Sequence, residues 1–117
     1  MDTARIQNLL AKFAADRDWD RFHSPKNLST ALVCEAAELA EIFQWMTLEE
    51  SAAAMDDPEL AKAIRDEVAD VQIYLLRLAD KLSIDLQEAM LEKIERNAER
   101  YPVALARGNS KKYSRRS

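Results

Sequence analysis

The sequence predicts an all-α protein, because its composition, hydrophobic periodicity and turn chemistry all favour that class. The chain of 117 residues is 48% hydrophobic but contains one glycine and three prolines, which leaves little material for the tight turns of β-hairpins. Apolar residues recur every three or four positions along four segments, the spacing of helices that bury one face. We therefore expect one domain with a four-helix-bundle-type fold.

The first half of the chain is predicted to form two long helices joined by an aromatic loop. The first helix runs from about Thr3 to Asp18, and the second from about Leu28 to Met46 with Asn27 or Ser29 as its cap. Apolar stripes line both helices: Ile6, Leu9, Leu10 and Phe13 on the first, and Leu28, Leu32, Ala36, Leu39 and Phe43 on the second. Residues 19–27 interrupt the periodicity and are rich in hydrogen-bonding groups, as ligand-binding loops often are.

The second half is predicted to form a short helix, two further long helices and a basic tail. Thr47 and Glu50 fit a capping box that begins the short helix, while Asp57 and Pro58 suit the cap and first residue of the third long helix. That helix runs to about Leu82 with an apolar stripe of Leu60, Ile64, Val68, Val71, Leu75, Leu78 and Leu82. The fourth helix, from Asp85 to about Arg100, ends at Tyr101-Pro102. The domain thus spans residues 1–102, and residues 103–117 form a mobile tail whose basic residues are Arg107, Lys111, Lys112, Arg115 and Arg116.

Charge and composition restrict the possible functions. The formal net charge of −4 argues against a broad nucleic-acid-binding surface or a stable nucleic-acid partner. The single cysteine, Cys34, excludes an intrachain disulfide. We recognise no signal peptide and no apolar run near the ~20 residues that span a bilayer, so we expect a cytoplasmic location and no membrane partner.

Four carboxylates fall on or beside apolar helix faces, where an acid is costly. Glu35 lies in the middle of the second helix's apolar stripe and Glu38 at its edge, while Glu67 and Asp70 form a similar pair on the third helix. Burial of a carboxylate normally survives only if it is paired, protonated or bound to a metal ion. The neighbouring stripes offer no counter-charge, and oxygen-only ligands suit Mg²⁺ or Mn²⁺. The two pairs therefore indicate a divalent-cation site.

Two other interpretations of these acids stay open. They could lie at the helix edges in contact with solvent, as we expect for Glu41, which continues the three-residue spacing but rotates away from the stripe. A di-iron carboxylate bundle would use the same geometry, but such sites contain Glu-x-x-His pairs. The only histidine, His23, lies in the predicted loop, which argues against iron.

A nucleotide could be bound beside these acids by aromatic and polar side chains. Aromatic faces stack on bases, His23 could hydrogen-bond a base edge, and two residues on one face of the fourth helix could reach phosphate or sugar oxygens. The candidates are Trp19, His23, Trp45, Tyr74, Lys93 and Asn97. Each also has a purely structural interpretation, since a tryptophan in a small bundle commonly anchors the core or an interface.

Several segments, in order along nearly the whole chain, form a recognisable set. They are Arg17-Asp18-Trp19-Asp20-Arg21-Phe22-His23, Glu35-Ala36-Ala37-Glu38-Leu39-Ala40-Glu41, Phe43-Gln44-Trp45, Asp66-Glu67-Val68-Ala69-Asp70-Val71, Lys93-Ile94-Glu95-Arg96-Asn97, Arg100-Tyr101-Pro102 and Lys112-Tyr113. This set resembles the MazG-like all-α nucleoside triphosphate pyrophosphatases, and more narrowly their dCTP pyrophosphatase branch. A lone Glu-x-x-Glu would be weak support, whereas the ordered set with both tryptophans is specific.

The resemblance implies a Mg²⁺-dependent enzyme that hydrolyses a nucleoside triphosphate, dCTP or a 5-modified dCTP, to the monophosphate and pyrophosphate, and so cleans the nucleotide pool. Glu35, Glu38, Glu67 and Asp70 would bind the metal, and Glu38 would orient the attacking water. The substrate would be bound by Trp19, Asp20, Arg21, Phe22, His23, Trp45, Tyr74, Lys93 and Asn97. The fold would be completed by association into a homodimer or homotetramer.

The chain departs from the dCTP branch at one position, because Leu10 occupies the place of a first-helix histidine that helps line the nucleotide pocket. Two functions of other classes remain open. One is a non-catalytic helical module that binds a nucleotide or a protein partner without releasing pyrophosphate. The other is a toxin–antitoxin or chaperone-like interaction protein whose acids are merely solvated, and divalent cations would not stabilise such a protein.

Overall fold

The computed structural model describes residues 1–108, and every regular element in that range is a helix. The described residues contain six α-helices: α1 (Thr3–Asp16), α2 (Pro25–Phe43), α3 (Leu48–Ala52), α4 (Pro58–Lys81), α5 (Leu86–Arg100) and α6 (Val103–Ala106). Short 3₁₀ helices lie at Asp20–Phe22 and Ala54–Asp56. The predicted all-α class is confirmed. Within residues 1–108, no helix combines the length and the apolar character needed to cross a bilayer.

The chain divides into two compact units, of which the first ends at Ser83. In this unit α4 packs against both α2 and α1. Leu28 of α2 and Ile64 and Leu76 of α4 are buried, and the side-chain amide of Gln7 donates a hydrogen bond of 3.0 Å to the backbone carbonyl of Leu76. The longest helix, α4, therefore lies at the centre of the unit, so side chains on its covered faces are held in fixed positions.

Helix α2 begins earlier than the sequence predicted, and the predicted cap at Asn27 or Ser29 is wrong. Ser24 is the N-cap: its hydroxyl oxygen accepts the backbone N–H of Asn27 at 3.1 Å, and Pro25 is the first helical residue. Proline suits that position because it lacks the N–H that would be unpaired there. The Asn27 side chain instead donates to the carbonyl of Phe22 at 2.9 Å, which ties the 3₁₀ turn to the start of α2.

The predicted starts of the other helices of this unit are confirmed. Thr47 and Glu50 form a reciprocal capping box at the start of α3. The Asp57 carboxylate caps α4, with Pro58 as its first residue. These caps satisfy N–H groups that have no partner within the helix.

The predicted apolar stripe of α4 is partly wrong. Val68 and Leu82 are about half exposed, whereas Leu76, Ala79 and Arg77 are buried. The buried face of α4 is not one straight stripe, because two helices pack against it, α1 and α2. The hydrogen bond from Gln7 of α1 to Leu76 shows where α1 contacts the helix.

The second unit begins at Ile84 and contains α5 and α6. Asp85 caps α5 through the backbone N–H of Glu88 at 3.1 Å, as the sequence predicted. The helix ends at Arg100, before Tyr101 and Pro102. The short helix α6 was not predicted, and the predicted tail residues Lys111, Lys112, Tyr113, Arg115 and Arg116 lie outside the described residues.

Leu28 should be among the most sensitive positions in the core. We expect Leu28→Ala to lower the free energy of unfolding by about 2–5 kcal/mol, because it removes apolar contacts and leaves a cavity. Leu9→Ala is the matched control, since Leu9 is 58% exposed and its truncation should cost much less. Urea denaturation of both variants checks this, and equal losses would contradict the placement of Leu28 in the core.

Candidate metal and nucleotide site

Three carboxylates from two packed helices form an acidic cluster. Glu35, Glu38 and Glu67 each contribute one oxygen, and these three oxygens lie within 4.8 Å of one another. Residues three apart on a helix share a face, which places Glu35 beside Glu38, and the packing of α2 on α4 brings Glu67 to them. The structure thus brings together three of the four predicted metal ligands.

Two oxygens of the acidic cluster are buried without a hydrogen-bond partner. The Oε2 atoms of Glu35 and Glu67 have essentially no solvent-accessible area and no partner among the described residues. Buried polar atoms nearly always have a partner, and leaving one without costs about 1–3 kcal/mol, more if it is charged. Burying these carboxylate oxygens without a partner costs free energy, and a hard divalent cation is the kind of ligand that would remove that cost.

The titration of the acidic cluster reflects the same crowding. Burial, followed by the neighbouring carboxyl of Glu38, raises the pKa of Glu35 to about 7. Burial also raises the pKa of Glu67, and the negative charges of Glu38 and Asp70 act in the same direction. Asp70, the fourth predicted ligand, therefore adds its charge to the cluster. At neutral pH the cluster resists full ionisation unless a positive charge is supplied.

An aromatic cavity follows the acidic cluster along α4. Glu67, Asp70, Tyr74 and Arg77 are spaced three, four and three residues apart, so they share one face of the helix. A cavity of about 350 Å³ is lined by Leu10, Phe13, Trp19, His23, Ile73, Tyr74 and Arg77. At about 1.5 Å per residue, Tyr74 lies about 10 Å along the helix axis from Glu67. The cavity and the cluster are close enough for one elongated ligand to reach both.

The position of Trp19 at the cavity wall is fixed by the end of α1. Its backbone N–H donates to the carbonyl of Ala14 at 2.8 Å, after a turn in which Asp18 adopts a left-handed backbone conformation with φ 53°. The indole meets the ring of Phe13 edge-on, with centroids 5.8 Å apart, and is 46% exposed. A partly exposed aromatic face on a cavity wall is suited to stacking on a flat ligand.

A family comparison identifies the group to which this arrangement belongs. The model of the MazG-like family matches residues 31–115, a stretch that includes the acidic cluster, Asp70 and Tyr74. The chain belongs to the MazG-like family. The resemblance predicted from the sequence is confirmed.

Curated relatives of this MazG-like chain are dCTP pyrophosphatases. It is 48% identical over 109 residues to dCTP pyrophosphatase 1 of Homo sapiens and 46% identical over 109 residues to that of Mus musculus. These alignments cover 93% of this chain but 64% of each relative. The chain therefore spans less than two thirds of the length of the curated relatives it matches.

A solved structure agrees with the MazG-like fold. A pyrophosphatase from Archaeoglobus fulgidus superposes with a TM-score of 0.80 and is 36% identical. The match covers 87% of this chain and 94% of that chain, so the helical arrangement is shared over nearly the whole of the archaeal protein.

Other predicted substrate residues of the first unit, Trp45, Arg21 and Phe22, are not among the residues that line the cavity. Trp45 follows α2 and is 88% exposed. Arg21 pairs with Asp18 at 3.3 Å and covers the exposed ring of Phe22 at 4.7 Å. Lys93 and Asn97 are exposed residues of α5 in the second unit. Of the predicted pocket residues, the structure brings Trp19, His23 and Tyr74 together.

Sequence reasoning missed a charged network beside the cavity. Arg77, only 5% exposed, donates from Nη2 to Asp20 Oδ1 at 2.6 Å and from Nε to His23 Nδ1 at 3.2 Å. Lys81 also donates to Asp20 Oδ1 at 2.6 Å. The hydrogen bond from Lys81 is the main reason that the pKa of the Asp20 carboxyl is lowered. A usable signal existed, because Arg77 continues the spacing of Glu67, Asp70 and Tyr74.

Proposed function

We propose that this protein is a Mg²⁺-dependent nucleoside triphosphate pyrophosphatase that hydrolyses dCTP, or a 5-modified dCTP, to the monophosphate and pyrophosphate. The observation that carries the proposal is the pair of buried carboxylate oxygens of Glu35 and Glu67, which have no hydrogen-bond partner among the described residues. Glu67 shares one face of α4 with Tyr74 and Arg77, which line the aromatic cavity. The identity to curated dCTP pyrophosphatases supports the choice of substrate.

The acidic cluster would hold the cation. Glu35, Glu38 and Glu67 present three carboxylate oxygens within mutual reach, and we assign Asp70 as a further ligand because its charge already acts on the cluster. Oxygen ligands from carboxylates suit Mg²⁺, and Mn²⁺ prefers the same ligand type. When bound, the cation would offset the negative charge that builds up at the α-phosphorus and on the leaving pyrophosphate.

The cavity would hold the nucleoside end of the substrate. Trp19 and Tyr74 offer aromatic faces, and stacking contributes roughly 1–3 kcal/mol per base. His23 offers a hydrogen bond at the same wall. We assign Asp20, Arg21, Phe22, Trp45, Lys93 and Asn97 to substrate binding from the family resemblance. Because the cavity and the cluster share one face of α4, the triphosphate of a bound nucleotide would lead toward the carboxylates.

Glu38 is the proposed general base. It is the exposed member of the acidic cluster, so a water molecule can reach its carboxylate. One carboxylate oxygen of Glu35 and one of Glu67 are buried, which makes these side chains better suited to a fixed ligand role. Glu38 would accept a proton from the water that attacks the α-phosphorus, and the chain would then release the nucleoside monophosphate and pyrophosphate.

We also propose that the protein acts as a homo-oligomer, a dimer or a tetramer. Large apolar side chains of the first unit are more than half exposed, namely Leu9, Phe22, Val33, Trp45, Leu48 and Met55. Exposed apolar area of this kind is commonly covered by a second copy. Sedimentation equilibrium at several protein concentrations tests this, and a fully active monomer would contradict it.

The decisive experiment incubates the purified protein with each of the eight common ribo- and deoxyribonucleoside triphosphates, with Mg²⁺ or with a chelator. We expect release of monophosphate and pyrophosphate in equal amounts, with dCTP turned over fastest and no turnover in chelator. Orthophosphate release would indicate cleavage at a different bond. Nucleotide binding that requires Mg²⁺ but yields no product would instead favour a non-catalytic binding module.

A further inference from the structure

Arg77 occupies an unusual position for a permanently charged side chain. It is almost fully buried, yet it lines the cavity together with the apolar side chains of Leu10, Phe13 and Ile73. Its guanidinium is engaged on three sides: with Asp20 at 2.6 Å, with His23 at 3.2 Å, and with Asp80 at 3.7 Å. A buried arginine held this firmly is set up to orient a neighbour.

The contact between Arg77 and His23 determines which ring nitrogen carries the proton. A guanidinium has only N–H donors and stays protonated at any ordinary pH. The Nδ1 atom of His23 faces the Nε–H of Arg77, so Nδ1 must be the acceptor and cannot carry a hydrogen. A neutral imidazole has one N–H, which must then be at Nε2.

The surroundings of His23 also oppose a second proton. Burial is the main cause that lowers the pKa of His23, and the positive charges of Arg77 and Lys81 add to it. The charge of Asp20 acts the other way, but that carboxylate is already bonded to both Arg77 and Lys81. Asp80 pairs with Arg77, and the α1 residues of the cavity wall, Leu10 and Phe13, carry no charge.

We propose that Arg77 is a positioning residue that holds His23 as a neutral imidazole with its proton on Nε2, so that the cavity offers a hydrogen-bond donor to its ligand. The ligand must then present an acceptor, an unprotonated ring nitrogen or a carbonyl oxygen, at that place. This ligand assignment rests on the proposed function. If the ligand is a nucleotide, the Nε2–H of His23 selects a base edge with acceptors, such as N3 and O2 of cytosine, and disfavours a base that presents an N–H to Nε2.

The first test concerns the free protein and is independent of any activity. Because His23 is the only histidine, protein labelled with ¹⁵N-histidine gives the ring-nitrogen signals of one known side chain. We expect unprotonated Nδ1 and protonated Nε2 at about pH 8, and because the pKa of His23 lies below its ordinary value, this neutral form should persist to a lower pH than in a free histidine. In Arg77→Met the pKa should rise toward the ordinary value of about 6.5 and both neutral tautomers should appear. A proton on Nδ1 in the wild type would overturn the proposal.

Lys81→Met is the matched control for charge. It removes a positive charge near His23 but leaves the hydrogen bond from Arg77, so the pKa of His23 should rise slightly while the proton stays on Nε2. Arg77→Gln offers both an acceptor and a donor at this place, so both neutral tautomers should appear even if Arg77→Met folds poorly. Retention of the wild-type tautomer alone in Arg77→Gln would also overturn the proposal.

The second test uses dCTP with Mg²⁺ and separates positioning from a structural role. His23→Phe and Arg77→Met should each raise KM by about threefold to tenfold, the value of one neutral hydrogen bond, with kcat little changed. His23→Gln keeps an N–H donor and should recover part of the loss. In the double variant that combines His23→Phe with Arg77→Met, KM should be no higher than in His23→Phe alone. Additive increases in KM would contradict the proposal that Arg77 acts through His23. If no triphosphate is turned over, the proposed function fails while the tautomer measurement still decides the role of Arg77.

Discussion

Replacing Glu35 with glutamine is expected to lower pyrophosphate release from dCTP by at least about 100-fold. Changes to residues that merely support metal ligands cost about 10–100-fold, and Glu35 is proposed as a ligand itself. Glutamine keeps the size of the side chain but removes the negative charge and half of the carboxylate's binding capacity. Initial rates at saturating Mg²⁺ and dCTP measure the effect.

Glu41→Gln is the matched control for this experiment. Glu41 lies on α2, as Glu35 does, and has the same side chain, but it is exposed and lies outside the acidic cluster. Its replacement should leave the rate within about twofold, as is usual for surface substitutions away from a site. Equal losses in both variants would show that net charge on α2, rather than the acidic cluster, governs the activity.

The other proposed ligands should behave as Glu35 does. Glu67→Gln, Glu38→Gln and Asp70→Asn should each abolish measurable turnover, and titration with Mn²⁺ should show weakened binding for the ligand variants. Glu38→Gln should lose more turnover than its weakened cation binding explains, because we assign Glu38 as the general base as well as a ligand. Retained turnover in Glu35→Gln would contradict the assignment of the metal site.

The inward position of Glu35 was predictable because it is a local property. The angle between residues on a helix is fixed, so the place of Glu35 within the stripe of α2 could be read from neighbouring residues. The start of α2 was equally local: Ser24-Pro25 is the same signal as Asp57-Pro58, but it was recognised at only one of the two places.

The network around Arg77 was not predictable in the same way. Its partners Asp20 and His23 are 57 and 54 residues away in the sequence, and periodicity does not reveal which distant groups meet. The helical wheel places Arg77 on the same face as Glu67 and Tyr74, but it does not show which anion neutralises the guanidinium there. Arg77 can be buried because the 3₁₀ turn brings the Asp20 carboxylate and the His23 ring nitrogen to its guanidinium.

The metal-free protein is expected to lose stability as the pH rises from about 4.5 to about 7. The pKa of Glu35 is raised from 4.5 to about 7 in the folded protein, so in this interval the folded state holds a proton that the unfolded state has released. Raising the pH therefore favours unfolding, and the loss is complete above about pH 7. Because the carboxyl is partly accessible, we expect a loss of about 1–3 kcal/mol.

Comparison with Glu35→Gln isolates this effect from the other carboxylates. The variant cannot ionise at position 35, so it should equal the wild type near pH 4 and be more stable above pH 7, although it is inactive. Added Mg²⁺ should stabilise the wild type increasingly as the pH rises, since binding requires the ionised carboxylates, and should do little for the variant. Urea midpoints across this range, with Mg²⁺ or chelator, measure both trends. A wild type that gains stability over Glu35→Gln with rising pH in chelator would mean that the acidic cluster is already neutralised by the protein and needs no cation.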